Sequence, residues 1–100
     1  MKGIWQMADF TKVEGRDIGD IKVFALSTCG WCKKTKTYLK DHGIKFSYID
    51  VDQLVGDELS PVREQQLKFN PNGSFPTIVV ADKDCIIGYD EDALRKLIGE

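Results

Sequence analysis

The order of apolar and polar positions switches repeatedly between two periods. Residues 21–26, Ile-Lys-Val-Phe-Ala-Leu, follow Gly19-Asp20 and combine β-branched and aromatic side chains, the composition of a strand. From Lys33 to His42 the period becomes helical. Thr35, Tyr38, Leu39 and His42 fall at i, i+3, i+4 and i+7, while Lys33, Lys36 and Lys40 lie on another face. Gly43 is placed to close that helix in a left-handed conformation. Residues 44–51 return to alternation through Phe46, Tyr48 and Asp50, and residues 52–59 read as a loop. Ser60-Pro61 offers an N-cap and a first helical residue, and Val62, Gln65, Gln66 and Phe69 then share one side of a helix. Asn70-Pro71-Asn72-Gly73 ends it with turn chemistry.

Residues 77–81 form a continuous apolar run, the pattern of a strand covered on both faces. Asp82-Lys83-Asp84 turns the chain, and Cys85-Ile86-Ile87 returns as the second arm of a hairpin. Gly88 breaks that strand. Asp90 caps a last helix whose apolar stripe is Ala93, Leu94, Leu97 and Ile98. The predicted order is β-α-β-α-β-β-α. A strand–helix–strand start demands a parallel pair, and the hairpin adds an antiparallel one. The fold class is therefore α/β, a four-stranded mixed sheet with helices on both faces. Residues 1–20 show no sustained period, although they hold Trp5, Met7 and Phe10. They are expected to be a loosely attached N-terminal extension to a domain spanning 21–100.

One hundred residues suffice for one domain with a modest core. With a net charge of -2, nothing favours nucleic acid or an anionic membrane as partner. No apolar run is long enough to cross a membrane. Residues 1–7 lack the apolar core of a secretory leader, so the cytoplasm is the expected compartment. Thiols there are kept reduced, and three cysteines are too few for a disulfide framework.

The candidate chemistry lies in Cys29-Gly30-Trp31-Cys32, between the first strand and the first helix. In a reducing compartment this C-x-x-C reads as redox-active or metal-binding. Zinc would want four ligands, and only Cys85 and His42 remain, poorly spaced. Cys29 stands where unpaired N–H groups and the positive end of a helix dipole converge, which favours the nucleophilic thiolate. Cys32, inside the first turn, can be buried and held in reserve. Gly30 allows close approach of backbone or ligand. Trp31 offers an apolar platform for a substrate, or packs on the domain surface. Pro76 enters a strand, where it cannot donate to the ladder, and a cis peptide before it is expected. The Phe75 backbone could then pair with an extended substrate. Cys85 reads as a small buried strand residue, and His42 has no catalytic part.

These motifs resemble the thioredoxin fold, and more closely the glutaredoxins and glutaredoxin-like (NrdH-type) redoxins. The resemblance rests on Cys29-Gly30-Trp31-Cys32, on Ser74-Phe75-Pro76-Thr77 and on Gly88-Tyr89-Asp90-Glu91-Asp92, and it spans residues 21–98. It implies a thiol–disulfide oxidoreductase that reduces protein or small-molecule disulfides through Cys29 and Cys32. Trp31, Phe75, Pro76, Tyr89 and Asp90 would contact substrate. It implies a monomer with no tightly bound cofactor. Electrons would come from glutathione, another low-molecular-weight thiol or a thioredoxin-reductase-type donor. The chain has Leu26 where typical members carry lysine, Gly30 for proline, Ser74-Phe75 for Thr-Val, and Ile87 for the second glycine of the last motif. Glycine after the first cysteine also resembles the members that carry a [2Fe–2S] cluster between two chains, which is the alternative function.

Overall fold

The computed structural model describes residues 10–54 and 56–99. Five strands form one mixed sheet: β1 (Thr11–Val13), β2 (Ile21–Ala25), β3 (Phe46–Asp50), β4 (Thr77–Val80) and β5 (Asp84–Ile87). The helices are α1 (Gly30–Asp41), α2 (Leu59–Phe69) and α3 (Glu91–Leu97). The strand order is β1-β3-β2-β4-β5. β2 and β3 run parallel, whereas β4 pairs antiparallel with β2 and with β5.

Alternation along the strands divides the core. Ile21, Val23 and Ala25 of β2 join Phe46, Ile78, and Cys32 and Leu39 of α1, together with Leu94 and Ile98 from the α3 region. The intervening Phe24 points to the other face, where it meets Ile49, Val79 and Val62 of α2. The period of two in β2 and β4 thus fixes which helix covers which face. Among the described residues no helix is long and apolar enough to cross a membrane.

The sheet has one strand more than expected. β1 pairs antiparallel with β3, matching Thr11 to Tyr48 and Val13 to Phe46. Beyond it, the Arg16 N–H donates to the Gly43 carbonyl at 2.7 Å, and the Lys45 N–H donates to the Arg16 carbonyl at 2.9 Å. A Cβ on Gly15 would come within 2.6 Å of the Gly43 oxygen, so this crossing requires glycine. Phe10 packs edge-on against Phe24, with ring centroids 5.8 Å apart. Residues 10–18 are therefore held more tightly than the loose attachment expected of 1–20. Trp5 and Met7 lie outside the described residues.

Three local expectations change. His42 is exposed beyond the end of α1 and stacks on Tyr38, so it leaves the buried face to Thr35 and Leu39. α2 begins at Leu59, fed by a 3-10 turn over Gly56–Glu58. Ser60 and Pro61 thus lie in its first turn and do not cap it. Lys36, placed with Lys33 and Lys40 on a face other than the buried stripe, is half-buried and paired with Asp50, whereas Lys33 and Lys40 are exposed.

Candidate active site

The site is assembled at the end of β2. The chain leaves Ala25 through a turn in which the Cys29 N–H donates to the Leu26 carbonyl at 3.2 Å. Asp52 braces that turn from the segment after β3. Its carboxylate accepts from the Ser27 N–H at 2.9 Å and from the Ser27 hydroxyl at 2.5 Å. These bonds hold the exposed Asp52 carboxyl below its ordinary range. No local pattern announces this brace, because the partners are 25 residues apart.

Cys29 is the N-cap of α1. Its backbone is extended, and its sulfur accepts the Cys32 N–H at 3.2 Å. The sulfur therefore sits at the N-terminal end of α1, against a backbone N–H. The two free thiols differ sharply in access: Cys29 is half-buried, while Cys32 is fully enclosed beneath α1. Burial pushes the Cys32 thiol from 9.0 up to about 12, and its hydrogen bond to Cys29 adds to the rise. The pair is thus an accessible sulfur next to a protonated one held in reserve.

Aromatic side chains flank the pair. Trp31 is 58% exposed, yet it stacks on Tyr89 with centroids 5.8 Å apart and planes at 24°. Lys34 places its ammonium 5.3 Å from the Trp31 ring and 5.5 Å from the Tyr89 ring. Trp31 therefore both packs on the domain and presents a face to solvent. Tyr89 follows Gly88, whose N–H donates to the Pro76 carbonyl at 2.8 Å, so the last motif is tied to the proline loop. Asp90 caps α3 by accepting the Ala93 N–H at 3.1 Å. Cys29, Phe75 and Tyr89 all pack against the core cluster that contains Cys32. The structure thus gathers the three sequence motifs at one end of the sheet.

The Phe75–Pro76 peptide is cis, with Pro76 buried and Phe75 half-buried. A buried polar network anchors the loop. Asn70 Nδ2 donates to Thr77 Oγ1 at 2.9 Å and to Ser74 Oγ at 3.1 Å, while Gln66 Nε2 donates to the Ser74 carbonyl at 3.1 Å. The Thr77 hydroxyl donates to the same carbonyl at 2.7 Å. The Arg63 guanidinium lies 5.4 Å from the Phe75 ring centroid. Sequence reasoning missed this support. The available signal was Gln66 on the buried side of α2, a polar group that needed a partner. Leu26 packs into the α2-side core. Cys85 is half-buried on the edge strand β5, where burial raises its thiol.

Comparison with known proteins agrees with this geometry. The glutaredoxin family model matches residues 21–86. A glutaredoxin-like 8.6 kDa protein in the rubredoxin operon of Clostridium pasteurianum is 37% identical over 78 residues, 78% of this chain and 96% of that one. Among solved structures, the glutaredoxin of Methanosarcina mazei superimposes with a TM-score of 0.85 at 41% identity, covering 93% of this chain and 90% of its own. The methanoredoxin of Methanosarcina acetivorans gives 0.83 at 44% identity, covering 86% and 90%. With the thioredoxin fold, the C-x-x-C pair at the N-terminus of α1 and these relatives, the chain belongs to the glutaredoxin family of thiol–disulfide oxidoreductases.

Proposed function

We propose that the protein is a dithiol reductase that reduces disulfides through a Cys29–Cys32 couple, acting as a cytoplasmic monomer. The observation that carries this reading is the asymmetry of the two thiols, one half-buried at the cap and one fully enclosed. The Cys29 thiolate attacks a substrate disulfide, one substrate sulfur leaves as a thiolate, and a mixed disulfide forms. The Cys32 thiol loses its proton and attacks Cys29 Sγ. The second substrate sulfur leaves and takes up a proton, and the Cys29–Cys32 disulfide remains. Two electrons have then passed from the protein to the substrate.

The flanking groups support a protein substrate. Trp31 and Tyr89 supply an apolar shelf, and the N–H and carbonyl of Phe75, beside the buried Pro76, would pair with an extended substrate backbone. Asp90 sits at the edge of this shelf, where its capping role and a contact to substrate are compatible. Glutathione, another low-molecular-weight thiol or a thioredoxin-reductase-type enzyme would return the couple to the dithiol state.

The test is insulin or small-disulfide reduction with each electron source in turn, namely glutathione with its reductase and thioredoxin reductase. Turnover is expected with at least one of them and lost in Cys29→Ser. A Cys29→Ser protein that still turned over would defeat the nucleophile assignment. Full activity in Cys32→Ser would replace the dithiol mechanism with a monothiol one.

A further inference from the structure

Resolution of the mixed disulfide poses a problem that the two cysteines do not solve alone. Cys32 must become a thiolate, yet it is wholly enclosed among Val23, Ala25, Leu39 and their neighbours. Uncompensated charge in such a place is strongly disfavoured. A nearby cation is therefore the feature to look for.

α1 supplies one. Lys36 is four residues after Cys32, so the two share a face of the helix, one turn apart. The side chain does not extend freely into water. Its Nζ is 2.9 Å from the Asp50 carboxylate and 4.1 Å from the centre of the Tyr48 ring, and its side chain is 22% exposed. Asp50 is opposite Ala25 in the β2–β3 register, at the same end of the sheet as the cysteines. Lys33 and Lys34, nearer in sequence, are exposed. Salt and water screen them more.

We propose that Lys36 is a positioning residue for the second half of the reaction: its fixed ammonium stabilises the Cys32 thiolate as that sulfur attacks the Cys29 mixed disulfide. The inference rests on the dithiol reading above. A backbone hydrogen bond at Leu26 opposes the rise that burial imposes on Cys32, and the Lys36 charge adds a smaller effect in the same direction. The other titratable or charged groups around this enclosure are Cys29 from the turn before α1, Tyr38 from α1, Asp50 and Tyr48 from β3, and Tyr89 from the loop before α3. Val23 and Ala25, packed from β2, bring no charge. Lys36 itself exchanges no proton. The proton of Cys32 passes to water, and the leaving thiolate takes one up. The two electrons of the new S–S bond come from Cys32, and the pair of the broken bond leaves on the departing sulfur.

The two halves can be timed separately in the reduced protein, in a Cys85→Ser background, with one equivalent of 5,5′-dithiobis(2-nitrobenzoate). The first nitrothiobenzoate released reports attack by Cys29, and the second reports resolution by Cys32. In Lys36→Met the first release is expected to keep its rate. The second is expected to slow about threefold at neutral pH, with its profile displaced about one unit upward. The tenfold loss of thiolate is offset in part by the greater nucleophilicity of a more basic sulfur. Lys36→Arg is expected to restore rate and profile. Lys36→Gln serves the same purpose should the methionine variant not fold.

An unchanged second release and pH profile in a folded, charge-deleted variant would overturn the proposal. So would a Lys36→Arg protein as slow as Lys36→Met. Failure of the underlying dithiol reading looks different. The parent protein would then release only one nitrothiobenzoate, or Cys32→Ser would release two.

Discussion

Deleting the enclosed thiol should change how the protein's stability depends on pH. The Cys32 thiol stands at about 12 in the folded protein against 9.0 when unperturbed. Because the folded value is raised, the unfolded chain releases this proton first as pH rises. The associated stability is complete below about 9, and it is lost progressively as pH climbs toward 12. At about pH 8 the effect is negligible. At about pH 10 the unfolded thiol is about nine-tenths ionised and the folded one is still neutral, which costs about 1.4 kcal/mol. Cys32→Ala lacks this contribution. Cys85, the tyrosines and the lysines remain in both proteins, so their titration cancels to first order in the comparison; making both proteins in a Cys29→Ser background removes the neighbouring thiol from it.

The assay is urea unfolding of both proteins at about pH 8 and pH 10, kept reduced and free of oxygen. The alanine variant starts lower, because a buried side chain has been shortened. Its further loss between the two pH values is expected to be smaller than that of the parent by about 1.4 kcal/mol. The oxidised protein with Cys29 intact should resemble the variant, since a disulfide carries no proton. Parallel losses in the reduced parent and the variant would refute the enclosed, proton-retaining Cys32 on which the division of labour rests.

Three other perturbations follow from the site. Thr77→Val keeps the shape but strips the hydroxyl from Asn70 Nδ2 and Gln66 Nε2. It should cost about 1–3 kcal/mol in urea unfolding, since buried donors are left short of acceptors. Trp31→Ala should leave stability within about 1 kcal/mol, because the ring is mostly exposed and its loss opens no core cavity. It should raise KM for a protein disulfide more than for a small one in the reduction assay, and equal effects on both would remove the platform role. Anaerobic cluster reconstitution should leave a colourless monomer by absorption and gel filtration. A brown dimer would instead support the [2Fe–2S] alternative.

The sequence showed the site where short-range physics determines it. The β-branched and aromatic composition of 21–26 and the helical period that follows Cys32 place the pair at a strand-to-helix junction, and the structure has it there. Asp90 was recognisable as a cap because capping is a matter of three residues. β1 was not recognisable. Its attachment is made by backbone bonds, and Thr11 and Lys12 face solvent, so no apolar period marks it. Lys36 was grouped with Lys33 and Lys40 on a face apart from the buried stripe, although its spacing from Cys32 puts it one turn from the thiol. Its aliphatic stem lets it lie half-buried while Asp50 meets the ammonium. The Ser27–Asp52 contact joins segments 25 residues apart, and no local pattern encodes such a closure.

Trapping the mixed disulfide tests the roles of the two thiols most directly. Reduced Cys32→Ser and Cys29→Ser proteins, each in a Cys85→Ser background, would be mixed with a peptide disulfide and quenched in acid. Intact mass and peptide mapping would then locate the adduct. A stable adduct on Cys29 in the first protein, with none on Cys32 in the second over the same time, is the expected result. A comparable adduct on Cys32 would contradict the assignment of Cys29 as nucleophile and Cys32 as the enclosed resolving thiol.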